Sequence, residues 1–406
     1  MFIHFRVRNY RSLRDEAVFS VEKRGQAKEL PENCFHVDGL PPQMSLLKSS
    51  VLYGGNASGK SNLIRALDVM QDVVRHGGVG EDAVKPLLEP FRLADASADE
   101  PLLFEAEVLA GGRRYRYGFE CTRERIVSEW LYAQKQRMTP MFVREGDHFI
   151  ASSPEFSELA AWRKILADTR LNLPDDALFL STAARMFAGG SCETVQKWFE
   201  NTLVILSAET YRKYLSTTFR AMQDRELARH ISRLIAKADF GIQSVETLEY
   251  SGTDGLAEIG TNHLVGERNY RLDMFRDESA GTQKVFALSA SLLDVLRHGK
   301  ALFIDELDAG LHPLLVAQLV ELFHVDNPAN AQMVATAHSP SILTETTLRH
   351  DQVWFVSKDA EGTTTLASLA DFTGIRGNFT RIAKDYLHGC FGGVPYIKNL
   401  RTEDGK

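Results

Sequence analysis

The first dozen residues after Met1 alternate apolar and polar positions in FIHFRVRNYRSL, a period of two that predicts a strand. In SSVLYGGNASGKSNLIRALDVMQDVV an apolar strand runs into a glycine-rich turn and then a long helix. From residue 104 to about 150 the alternation returns. LLFEAEVLAGGRRYRYGFECT is two alternating runs around Ala110, Gly111 and Gly112, a hairpin signal, and IVSEWLYAQ and MFVREG are further strands. These runs predict an antiparallel sheet rather than a strand–helix–strand unit. Residues from about 155 to 238 change to helical spacing, as in AAWRKILADTRL, CETVQKWFENTLVIL and ELARHISRLIAKADF. Short strands follow in VETLEYSG and NYRLDMF. Then come a helix opening at SAGTQ, the strand KALFIDE, a helix from Pro313, and the strands AQMVATAH and DQVWFVSKD. A tail holding YLHGCFGGVPYI closes the chain, and no internal repeat or low-complexity linker interrupts it.

Composition narrows the class. The chain has 406 residues, 44% hydrophobic and 25% charged, which suits a soluble protein with two domains or one large domain carrying an insertion. No apolar run is long enough to cross a bilayer, and the first five residues lack a signal-peptide pattern. Cys34, Cys121, Cys192 and Cys390 are far apart and form no C-x-x-C pair, which argues against a zinc site or a disulfide framework. A cytoplasmic protein is expected. The net charge of -7 argues against a surface that is wholly a nucleic-acid footprint. Basic strips at Arg6, Arg8, Arg11 and Arg14 and at Arg113, Arg114 and Arg116 leave nucleic acid open as a partner.

Three strand ends carry candidate chemistry. Gly54-Gly55-Asn56-Ala57-Ser58-Gly59-Lys60-Ser61 fits G-x-x-x-x-G-K-[ST] between a strand and a helix. Glycines let the backbone wrap phosphates, the helix N-terminus faces negative charge, Lys60 reaches the β/γ oxygens and Ser61 offers a hydroxyl to Mg²⁺. Leu302-Phe303-Ile304-Asp305-Glu306 is an apolar strand ending in two acids. Burying two carboxylates there would be costly without a cation or donor, so Asp305 is assigned to Mg²⁺ and Glu306 to the attacking water as general base. His338 ends the next apolar strand and can bond a γ-phosphate. In a parallel sheet, ligands collect at the carboxyl ends of the strands, where Gly54, Asp305 and His338 would all fall. The expected division is residues 1–154 with the P-loop and antiparallel lobe, a helical insertion at 155–238, and 239–406 with the remaining motifs.

The order P-loop, Ser-x-Gly-x-Gln turn, acidic strand and histidine strand resembles an ABC-type ATPase head, and DELDAGLHP is similar to the SMC and RecF branch. More narrowly, FRVRNYRSLRDE, YGGNASGKSNLIRAL, ESAGTQKVFAL, IDELDAGLHP and the C-terminal segments resemble the SMC-like ATPases related to the OLD family and to RloA, AriA and PtuA of phage-defence operons. The resemblance implies an α/β head with a mainly parallel core sheet, an antiparallel lobe, an inserted helical block and ATP with Mg²⁺ as ligands. It implies that residues Gly54 to Asn62 hold the nucleotide of their own chain. Ser279 and the backbone around Gly281 would cap the γ-phosphate held by Lys60 of a second subunit, with Gln283 among the nucleotide-binding residues and Asp308 at the dimer face. Val285, Phe286, Leu288, Leu292, Leu293 and Leu296 give the signature helix its core side. Ala280 stands where transporters have glycine, and Gln134 and Gln136 are candidates for the Mg²⁺-sensing glutamine. Sustained heptads are missing from 155–238, so no long coiled coil is expected. Only 68 residues follow His338, without an Asp-x-Asp pair, so the nuclease domain of the OLD family is not expected either. The implied function is an ATP-hydrolysing switch that dimerises head to head, in a homodimer or larger homo-oligomer, and controls a separate nuclease or toxin in phage defence. The alternative is a RecF-like DNA-repair clamp.

Overall fold

Six strands form the core sheet, in the spatial order Leu203–Leu206, Ala301–Ile304, Gln332–Ala337, Ser49–Tyr53, Val353–Lys358 and Thr364–Ser368. The first five pair in parallel and the sixth is antiparallel. The computed structural model describes residues 1–392 except 25–28, 135–136, 170–171, 208–209, 239–240, 249–257, 345–346 and 373–378. Every residue of the central strands is buried because both sheet faces are covered, which is why they read as unbroken apolar runs. Leu52, Phe303 and Val334 point into one hydrophobic cluster, while Val51, Tyr53, Ile304 and Ala335 point into the other.

A seven-stranded antiparallel sheet covers the first face, with Phe2–Arg8 set between Ala17–Ser20 and Leu102–Ala110. Its other strands are Arg113–Cys121, Ile126–Gln134, Met138–Glu145 and His148–Ser152. The P-loop helix Lys60–His76 lies between the two sheets, with the helices Phe179–Met186 and Ser191–Asn201 packed on it. On the opposite face, Tyr211–Ala221 and Arg225–Ala238 flank the helix Ala280–His298. A small sheet of Ile242–Leu248, Glu258–Val265 and Arg268–Asp273 lies next to Arg225–Ala238.

The stretch expected as one helical insertion is therefore shared between both faces of the core. Helical spacing was expected to continue through CETVQKWFENTLVIL. The helix instead stops at Asn201, and Leu203–Leu206 becomes the outermost strand of the core sheet. Pairing with Ala301–Ile304 decides the conformation of these four aliphatic residues, which a periodicity alone cannot assign. Among the described residues the longest helix is Ala280–His298, with 19 residues, and no helix is long and apolar enough to cross a membrane.

Candidate nucleotide site

The phosphate loop leaves Tyr53 and turns back through two left-handed residues, Ala57 at φ 63° and Gly59 at φ 108°. Gly54 has no room for a side chain, because a Cβ would overlap the Val356 carbonyl and the Ser58 hydroxyl. At Gly59 a Cβ would overlap the Thr364 side chain and crowd Ser12. The loop is thus walled from outside by Ser12 and Thr364. Thr364 Oγ1 donates to the Ser58 carbonyl at 2.9 Å and accepts from Ser12 Oγ at 2.7 Å, and Asn62 Nδ2 donates to Ser12 Oγ at 2.7 Å. No side chain caps the helix at Gly59, so its first amides face the loop.

Lys60 is buried and folds over the loop, its Nζ donating to the Gly54 carbonyl at 2.6 Å and the Gly55 carbonyl at 3.1 Å. Burial pushes the ammonium pKa down, while Asp305, Asp308 and Glu306 oppose that shift. The hydroxyls of Ser58 and Tyr53 and one oxygen of Asp308 are buried without a protein partner. Buried polar atoms normally find partners. The orphan hydroxyl on the loop, the glycine cradle and the buried lysine folded over it together fit a phosphate chain with its cation.

Strand pairing brings the acids to the same sheet edge. Asp305 and Glu306 leave the strand Ala301–Ile304, and His338 leaves Gln332–Ala337, which lies between that strand and the P-loop strand. Thr336 Oγ1 donates to Asp305 Oδ1 at 2.6 Å and accepts from the Glu306 amide at 2.7 Å. Asp305 is thereby oriented through one oxygen. Glu306 is exposed and stands at φ 51°, in the left-handed region that a non-glycine residue occupies at a cost of roughly 1–2 kcal/mol. The side chain of His338 is exposed as well.

The signature turn lies at the head of Ala280–His298. Ser279 caps that helix, accepting from the Thr282 amide at 3.1 Å, and is itself exposed. Gly281 packs so closely on the loop after Glu306 that a Cβ would lie 2.8 Å from the Gly310 carbonyl. A cavity of about 160 Å³ beside the turn is lined by Ile235, Ala238, Gly310 and Leu311, with no P-loop residue among its walls.

Several expected residues have other work in this chain. Gln283, expected among the nucleotide-binding residues, donates from Nε2 to the carbonyls of Glu278 at 3.0 Å and Phe275 at 3.3 Å, closing the turn before its own helix. Asp308, expected at the dimer face, accepts the amides of His338 at 2.8 Å and Ser339 at 2.7 Å through Oδ2. It ties the acid loop to the histidine loop. Gln134 is not a neighbour of the phosphate loop. It ends its strand beside Arg114, which donates to Gln134 Oε1 at 3.1 Å and pairs across the sheet with Leu109. Leu109 in turn meets Met1, next to Phe2, whose amide donates to Gln332 at the start of a core strand. Gln134 therefore lies at the amino ends of the core strands, opposite the loop. Gln136 is outside the described residues. Ser12, Thr336, Thr364 and Lys284 were missed, and only a lone hydroxyl within an apolar strand, at Thr336, could have drawn attention to one of them.

A family model described as "AAA domain, putative AbiEii toxin, Type IV TA system" matches residues 49–344. The chain belongs to this family. The matched span begins on the P-loop strand of the AAA domain and closes just after His338, so it encloses every strand end described above. No curated protein matches the chain. Among solved structures it is similar to an SMC head bound to the C-winged helix domain of ScpA, at 15% identity, with 91% of this chain and 99% of that chain covered and a TM-score of 0.48. It is similar to the SMC head domain from Thermotoga maritima at 13% identity, with 90% and 98% covered and a TM-score of 0.41. The Pyrococcus furiosus Smc head with an extended coiled coil, bound to the C-terminal domain of ScpA, is 13% identical over 95% and 98%, with a TM-score of 0.44.

Proposed function

We propose that this AAA domain is an ATPase acting as a conformational switch, in which two heads close on two ATP molecules and the closed or open state governs a separate effector. The observation that carries the reading is the meeting of Lys60, Asp305, Glu306 and His338 at the carboxyl ends of three adjacent parallel strands. Residues Gly54 to Asn62 would hold the phosphates, and Ser61 and Asp305 would hold Mg²⁺, which neutralises phosphate charge when bound. Glu306 would take the proton of the attacking water, and His338 would bond the γ-phosphate. Ser279 and Gly281 line a cavity with no P-loop residue in its walls, which supports a role at the nucleotide of a second copy. The resemblance to the OLD family, and the toxin–antitoxin description of the matched family, support a nuclease or toxin as effector in anti-phage defence. We place the effector or trigger contacts on the helical block of residues 155–238 and on the C-terminal region.

Two experiments bear on this reading. Gly59→Ala should weaken ATP binding at least about 100-fold, because the methyl group displaces Thr364 and the residue cannot hold φ 108° without strain. Titration with a fluorescent ATP analogue, with circular dichroism as the folding control, would measure it, and unchanged affinity would count against the loop as the phosphate site. Ser279→Arg and Lys60→Ala should each be inactive alone. Mixed in equal amounts they should recover about a quarter of wild-type turnover, since each mixed dimer of twofold symmetry rebuilds one intact site. No recovery on mixing would sink the shared-site geometry.

A second reading, a DNA-binding repair ATPase, is favoured by one surface. Arg225, Arg229, Arg233 and Lys237 fall at every fourth position of Arg225–Ala238, are all exposed, and bond to no acid among the described residues. Residues 211–238 hold seven Lys and Arg against two Asp and Glu in a chain of net charge -7. Duplex affinity that falls steeply with salt and is lost in Arg229→Glu with Arg233→Glu would move the chain to that reading.

A further inference from the structure

We infer that Lys284 is the positioning residue for Glu306, a clamp from the signature helix onto the acid loop of the same chain; this deepens the ATPase reading above and rests on it. Lys284 stands on Ala280–His298, five residues past Ser279. Its ammonium donates to the carbonyls of Glu306 at 2.7 Å, Leu307 at 3.2 Å and Ala309 at 2.8 Å. A lysine ammonium has three donors and no acceptor, so these three carbonyls satisfy it fully. Among the described residues it makes no direct bond to a carboxylate, although Asp308, Glu306 and Asp305 lie near enough to favour its charge against burial.

The consequence falls on one peptide unit on each side of Glu306. Its amide is held by Thr336 Oγ1 at 2.7 Å and its carbonyl by Lys284 at 2.7 Å. The residue between them sits at φ 51°. Left-handed backbone at a non-glycine residue persists only where the surroundings over-determine it. Here the two determinants come from different elements, the histidine strand and the signature helix. The Glu306 side chain is exposed. Its aim is thus set by the backbone that Lys284 and Thr336 fix.

The same contact joins two sites. Gly281 abuts the Gly310 carbonyl at the far end of the acid loop, and Lys284 grips the near end. The signature turn and the acid loop then form one unit. A phosphate met by Ser279 on the partner's nucleotide would be felt at Glu306, which serves the nucleotide of its own chain. Lys284 is the link through which closure on one nucleotide would tune, without being required for, hydrolysis of the other.

The test compares ATP turnover and ATP affinity in the wild type, Lys284→Met, Glu306→Gln and the double variant. Lys284→Met keeps the length of the stem and removes the donors. Its kcat should fall about 10- to 100-fold, the scale of a misplaced reacting group, with ATP affinity held within about twofold. Lys284→Gln, with two donors on a shorter stem, should recover part of that loss. The double variant should turn over no slower than Glu306→Gln, because residues acting as a unit are not additive. A wild-type kcat in Lys284→Met, a parallel loss of affinity, or additive effects would overturn the inference. If Glu306→Gln or the wild type shows that there is no such hydrolysis, the ATPase reading is what has failed. Amide exchange then decides Lys284 by itself: residues 307–311 should exchange faster in Lys284→Met than in the wild type, and equal rates there would remove the clamp.

Discussion

Glu306→Gln is expected to lower ATP turnover by about 10²- to 10⁴-fold, the usual contribution of a positioned general base, while ATP stays bound. The expectation rests on how differently the two neighbouring acids are held. Asp305 has one oxygen committed to the Thr336 hydroxyl at 2.6 Å, which orients it for a cation and leaves it poorly placed to take a proton. Glu306 has its backbone fixed and its carboxylate exposed. Glutamine preserves shape and the left-handed turn, so the variant separates proton transfer from loop geometry. Single-turnover phosphate release together with nucleotide retention on a desalting column measures both halves of the effect. Turnover within about twofold of wild type would remove Glu306 as the base and favour an ATP-binding scaffold. If the base is right, the stalled protein is also the form in which to capture an effector from its native host.

The parts of this site that could be read from sequence are those in which one short stretch carries the whole signal. The P-loop is contiguous, and Asp305, Glu306 and His338 each close an apolar strand. The parallel pairing then needs no further information to bring them to one edge. The walls of the loop were illegible because Ser12 and Thr364 meet across 352 residues, joined only when the antiparallel lobe and the last core strand have both formed. Lys284 was hidden differently. It lies within the signature segment, but its three partners are backbone carbonyls, which have no residue type to read. Leu203–Leu206 was absorbed into the helical run before it because a short aliphatic stretch fits either period, and the partner strand that decides it comes about a hundred residues later. The intrachain partners of Gln134, Gln283 and Asp308 were equally illegible, because a motif does not show which carbonyls and amides a side chain meets inside its own fold.

Glu129→Ala is expected to cost about 3–5 kcal/mol of stability, the range found when one partner of a buried ion pair is removed. In IVSEWLYAQ Glu129 falls on the inward register with Leu131 and Ala133, where a carboxylate looks out of place. It is fully buried and accepts four donors: Arg144 Nε at 2.7 Å, the Phe179 amide at 2.8 Å, the Leu180 amide at 2.9 Å and the Tyr117 hydroxyl at 3.0 Å. Two of those donors are the first amides of Phe179–Met186, so the carboxylate caps a helix and meets the positive end of its dipole. Arg144 passes its remaining donors to the carbonyls of Gly146 and Ala177, each at 2.6 Å. Truncation would leave a guanidinium, two amides and a phenol in the core without their acceptor. The helix so held is one of those packed on the P-loop helix, which gives this network a part in supporting the nucleotide site from below. Denaturant midpoints should therefore fall sharply in Glu129→Ala, and ATP should restore part of the loss by binding the folded state. Replacing Glu129 and Arg144 together by methionine should cost less than Glu129→Ala alone, because no charge is then left unpaired. A single variant that loses less than about 1 kcal/mol would mean that water reaches the pair, and that the lobe is looser around Glu129 than its hydrogen bonds imply.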